Sequence, residues 1–148
     1  MRPPRPEPEK GVRMAPVRRF AVSAEKPERG VPRVSVEGEI DRATVDVVRR
    51  HADRQIELHG PRLILDLART SFMDSSGLHL IETLRRSTSE QGGALVLVVA
   101  TYGVWRLLEI APPPSDVRIL GTRPQGGAAV GTHRNYRPAP DHGRVEAA

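Results

Sequence analysis

The clearest two-residue period in the chain lies at residues 31–38, where Val34 and Val36 alternate with Arg33, Ser35 and Glu37. That pattern describes a strand with one buried face. Residues 20–24 read as a weaker edge strand and 25–30 as the turn that folds it back antiparallel. Pro32 belongs at the start of its strand, where no ladder N–H is lost. The period then becomes helical. Val45, Val48, Ala52 and Ile56 make an apolar stripe, and Arg42, Asp46, Arg49, Arg50, Asp53, Arg54 and Glu57 fall on the other side. A helix over 44–59 follows, with Asp41 as its N-cap and Gly60-Pro61 as its stop.

Leu63, Ile64, Leu65 and Leu67 form a nearly continuous apolar run of strand length, which suits a strand covered on both faces. Phe72 and Met73 are expected to pin the loop after it to the core. Leu78, Ile81 and Leu84 are helically spaced, giving a second helix that runs to Glu90 and stops at Gln91-Gly92-Gly93. The aliphatic segment 94–100 is a second strand buried on both faces. Residues 102–111 predict a short helix, with Val104, Leu107, Leu108 and Ala111 on one side and Arg106 and Glu109 on the other. Trp105 is expected in its core, three prolines at 112–114 break it, and 116–120 is a final strand.

The order β-β-α-β-α-β-α-β predicts an α/β fold: a mixed, largely parallel sheet of four to five strands with helices packed on it. One domain over 18–120 is expected, between a Pro/Arg-rich disordered arm at 1–17 and a disordered or weakly ordered tail at 121–148.

Charge changes this picture only at the ends. The formal net charge is +5, but residues 1–19 hold six basic and two acidic side chains and 121–148 hold four and two. Between them 13 basic side chains face 14 acidic ones, so the domain is near neutral and is not built to track a phosphate backbone. No direct nucleic-acid contact is expected. Without cysteine there is no disulfide or thiolate chemistry. The longest apolar run, 94–100, is far short of the roughly 20 residues of a membrane span, and the first ten residues lack an apolar leader. A cytoplasmic protein away from membranes is expected.

Enzyme chemistry finds no footing. The serines lie outside a Gly-x-Ser-x-Gly elbow, and no phosphate-binding or dinucleotide-binding glycine loop occurs. The five histidines (51, 59, 79, 133 and 142) lack ligand spacing. We expect no catalytic residue, metal or cofactor. What remains is Asp74-Ser75-Ser76, where strand, loop and helix meet. These residues cap a helix N-terminus, and the free N–H groups and dipole there also favour a phosphate on Ser75 or Ser76.

Leu65-Asp66-Leu67 followed by Ser71-Phe72-Met73-Asp74-Ser75-Ser76-Gly77-Leu78 resembles the signature of the STAS domain (sulfate transporter and anti-sigma factor antagonist), in its bacterial anti-sigma factor antagonist branch. Gly38-Glu39-Ile40-Asp41 is similar to a second landmark of that family. The resemblance covers residues 18–120 and implies the same α/β architecture.

It further implies an anti-sigma factor antagonist, a monomer working by partner switching. The unphosphorylated form binds an anti-sigma factor that is also a serine/threonine kinase, which frees the sigma factor. Phosphorylation of Ser75 switches binding off, and a phosphatase acting on phospho-Ser75 restores it. Asp41, Asp74, Ser76, Gly77 and His79 then face the partner. An alternative is a STAS-like scaffold or ligand-sensing module in which Asp74-Ser75-Ser76 only caps. Three departures from the family pattern stand out: His79 where a Gly is common, Thr101-Tyr102-Gly103 where Ser-Pro is usual, and a Gly- and Pro-rich tail in place of a C-terminal helix.

Overall fold

Arg29 and Gly30, with φ of 59° and 84°, turn β1 (Ala21–Glu28) back antiparallel onto β2 (Val31–Ile40). The hairpin is tighter than the expected turn at 25–30, and β1 correspondingly longer. In the computed structural model, which describes residues 19–124 and 136–137, the chain then alternates helix and strand. After α1 (Val45–His59), β3 (Arg62–Met73) lies parallel to β2. After α2 (Ser75–Glu90), β4 (Ala94–Val99) lies parallel to β3. After α3 (Tyr102–Ile110), β5 (Arg118–Leu120) lies parallel to β4. Beside β5 a two-residue strand, β6 (Tyr136–Arg137), adds a parallel pairing within the segment expected to be a tail. Residues 125–135 and 138–148 of that tail and the 1–17 arm lie outside the described residues.

Spatial order equals sequence order, β1-β2-β3-β4-β5-β6. Each crossover steps one strand further in the same direction, so right-handed connections require all three helices on one face. The core has that form. Val34, Val36, Leu63, Leu65, Leu67, Leu95, Leu97, Val99 and Ile119 of the sheet meet Val48, Ala52 and Ile56 of α1, Leu80, Ile81 and Leu84 of α2, and Val104, Trp105 and Leu108 of α3. A smaller buried set on the strands, Val31, Ile64, Val96 and Leu120, accounts for the continuous apolar runs of β3 and β4. Arg33 pairs with Asp66 at 3.0 Å.

Two expectations fail locally, for identifiable reasons. Asp41 does not cap α1, because a turn at 41–44 intervenes and the helix begins at Val45, with Thr44 in the cap position. Phe72 does not pin a loop. The strand pairing continues to Ile40 opposite Met73, and an extra β3 residue enters the register between Gly38–Thr70 and Glu39–Phe72. This bulge leaves Ser71 and Phe72 both facing outward while Met73 returns to the core.

Candidate functional site

The C-terminal ends of β2 and β3 are stitched together where the Asp-Ser-Ser-Gly segment begins. Asp74 N–H donates to the Ile40 carbonyl at 3.1 Å, which fixes the start of α2 against the turn that follows β2. That turn has its own clamp. The Asp41 carboxylate accepts from the N–H groups of Ala43 (2.9 Å) and Thr44 (3.1 Å). In return Thr44 Oγ1 accepts from the Asp41 N–H at 3.0 Å and donates to the Glu39 carbonyl at 2.8 Å. Asp41 thus fixes the turn rather than the helix, and Arg42 is held exposed at its tip.

At the start of α2, Asp74 is the N-cap, as its residue type predicted. Its carboxylate accepts from the Ser76 N–H at 2.8 Å and also accepts a hydrogen bond from the Ser76 hydroxyl. These bonds hold the Asp74 carboxyl below its ordinary range, the Ser76 hydroxyl first, with Arg42 adding a favourable charge. The two serines are therefore unequal. Ser76 is half-buried with its hydroxyl engaged, whereas Ser75, the first helical residue, is exposed and its hydroxyl makes no hydrogen bond among the described residues.

Gly77 is buried under the helix start, and a Cβ there would run into the Met73 side chain. His79 is exposed one turn further along α2. Of the residues singled out in the sequence, Asp41, Asp74, Ser75 and His79 contribute to one end of the molecule. Ser76 belongs to the cap, and Gly77 lies beneath the surface.

Two aromatic residues join this end: Phe72, which the sequence did not place there, and Tyr102 of the Thr101-Tyr102-Gly103 departure, which it did. Phe72 is 47% exposed and Tyr102 is 42% exposed. The start of α3 is tied to the end of β3, because Thr101 Oγ1 donates to the Thr70 carbonyl and a Cβ on Gly103 would stand 2.6 Å from the Ser71 carbonyl oxygen. Two exposed aromatic residues thus stand at the end of β3 and the start of α3, beside the strand end from which the Ser75 segment leaves. The bulge that turns Phe72 outward has no local sequence signal, whereas Tyr102 at a predicted helix start was open to inference. Among the described residues no group of three or more His, Asp and Glu side chains could hold a metal ion, and no helix is long and apolar enough to cross a membrane.

A mixed, largely parallel sheet thus carries a capped, serine-bearing helix start at the C-terminal ends of its strands. The model of the STAS domain family matches residues 24–118, and the chain belongs to that family. An anti-sigma F factor antagonist from Paenibacillus polymyxa is 34% identical over 84 residues, 56% of this chain and 72% of the relative. The unphosphorylated form of the anti-sigma factor antagonist SpoIIAA is 25% identical, with a TM-score of 0.51 over 62% of this chain and 84% of that one. The phosphorylated form of the Bacillus cell fate determinant SpoIIAA shares the fold with a TM-score of 0.54, at 22% identity over 67% of this chain and 90% of that one. Members of this branch of the family are regulatory binding proteins and not enzymes.

Proposed function

We propose that the chain is an anti-sigma factor antagonist whose partner binding is switched by phosphorylation of Ser75. The observation that carries this is the inequality of the two serines: one hydroxyl is exposed and unengaged, the other is committed to Asp74. The family membership of residues 24–118 and the relative named an anti-sigma F factor antagonist support the same reading.

In the unmodified state the surface around Ser75, with Asp41, Asp74, His79 and the rings of Phe72 and Tyr102, docks on an anti-sigma factor that carries serine kinase activity, and the sigma factor is released. Ser76 and Gly77 support this surface from within the cap. The kinase then transfers the γ-phosphoryl group of ATP to Ser75 Oγ. The bond from the γ-phosphorus to the bridging oxygen breaks, ADP leaves, and the serine proton passes to the kinase. The modification adds about −1.5 to −2 charges to a surface that must be desolvated on docking, beside Asp74, so the complex dissociates. A phosphatase returns the free hydroxyl. The switching unit is the domain at 18–120, working as a monomer in the cytoplasm, with the arm at 1–17 and the tail at 121–148 outside it.

The test is to incubate the chain with its cognate anti-sigma factor kinase and ATP and to read intact mass and binding. One phosphate is expected on the native chain and none on Ser75→Ala, which should bind without release, while Ser75→Asp should bind weakly. A chain that binds the kinase yet gains no phosphate would instead be a STAS scaffold in which Asp74-Ser75-Ser76 only caps.

A further inference from the structure

Ser75 and His79 are both exposed and stand four residues apart on α2. On a helix that spacing brings two side chains onto one face, with about 5–6 Å between their Cβ atoms. Side chains on a helix also lean toward its N-terminus, a direction that favours contact from position 79 back to a group on Ser75. An anion placed N-terminal to a cation at this spacing has the favourable orientation with respect to the helix dipole. We propose that His79 is the intrachain counter-ion of a phosphate on Ser75. This deepens the switch described above and rests on Ser75 being its modified residue.

The other charged and titratable groups around this point divide in sign. Asp74 at the cap, and Asp41 and Glu39 at the end of β2 and in the following turn, oppose the phosphate; Arg42 in that turn favours it. Tyr102 stands at the start of α3. On α2 itself the next carboxylate, Glu82, is engaged by Arg85 at 2.8 Å and by Arg86 at 3.7 Å, so it leaves His79 available. A phosphoserine has its second ionisation near about pH 6, and a cation beside it lowers that value. Protonated imidazole favours the phosphate dianion and draws it onto the helix surface, so the pair carries less net negative charge than the phosphate alone.

The experiment installs phosphoserine at position 75 during translation, so that no kinase is needed, and follows the phosphate by ³¹P NMR titration. His79→Gln should raise its second pKa by about 0.3 unit, a twofold change in the ionisation constant. His79→Lys, which keeps a cation there, should restore the low value. His59→Gln, at the far end of α1, should leave it unmoved. The proposal is overturned if His79→Gln gives the native titration curve, or if His59→Gln shifts it equally and so reveals only a net-charge effect. Failure of the kinase to modify Ser75 would sink the switch and leave this titration unaffected.

Discussion

Gly77 and Met73 share one space: a Cβ on the glycine would overlap the methionine side chain, with Ile40 Cγ2 the next neighbour at 3.4 Å. Met73 is buried at the end of β3 and Gly77 is buried in the first turn of α2, so the strand end and the helix start close on each other. That closure sets the height at which Ser75 is presented.

Gly77→Ala should therefore destabilise the protein even though alanine is the better helix former. Overpacking typically costs about 1–3 kcal/mol against a helix-propensity gain of about 1 kcal/mol. A net loss of up to about 2 kcal/mol in chemical denaturation is expected. Adding Met73→Ala should cost less in the Gly77→Ala background than alone, since the smaller side chain relieves the clash. Strict additivity of the two would refute this packing.

Acid should reveal the cap at Asp74. Its carboxyl is held below the ordinary value of 3.8, chiefly by the Ser76 hydroxyl, then by the Ser76 and Gly77 N–H groups and Arg42. A folded-state pKa below the unfolded one gives stability that is fully present above the unfolded value and lost as pH falls through the folded value. The difference in melting temperature between native protein and Asp74→Asn should thus be constant from about pH 5 to 8 and shrink below about pH 4. A gap that stays constant down to about pH 2 would remove the carboxylate from the cap.

Much of this end was legible in the chain because it depends on local chemistry. The Asp-Ser-Ser cap, the apolar stripe of Val48, Ala52 and Ile56, and the doubly buried strands each follow from residue types at fixed spacing, and the structure has them. What escaped depends on pairing between distant segments. The bulge that exposes Phe72 exists only because β3 runs beside β2, and the turn that separates Asp41 from α1 is closed by Thr44, whose hydroxyl bonds back to Glu39. The Tyr136–Arg137 strand likewise needs the edge of β5 as its template.

Asp41→Ala tests that turn. It leaves the Ala43 N–H without its acceptor and the Thr44 N–H with the Asp41 carbonyl alone, at 3.2 Å, a loss comparable to that of a helix cap, about 1 kcal/mol. Thr44→Val should cost about the same or more, because it removes the hydroxyl that serves both Asp41 and Glu39. The two together should fall short of the sum, since they act on one network. Amide hydrogen exchange of Val45 and of Val47 and Val48, whose N–H groups bond the Asp41 and Thr44 carbonyls, should accelerate in each variant.

Phe72 separates binding from folding. An aromatic ring 47% exposed contributes little to the core, so Phe72→Ala should leave stability within about 0.5 kcal/mol of native. At a partner interface the same ring is the kind of anchor whose truncation costs more than about 1 kcal/mol, so affinity for an anti-sigma factor partner should fall about tenfold, mainly through faster dissociation. Leu58→Ala supplies the control. Leu58 is 59% exposed but lies near the far end of α1, one residue before its last. Its removal should change neither quantity. If Phe72→Ala and Leu58→Ala bind alike, with native affinity, the partner does not dock on the end of the sheet that carries Ser75.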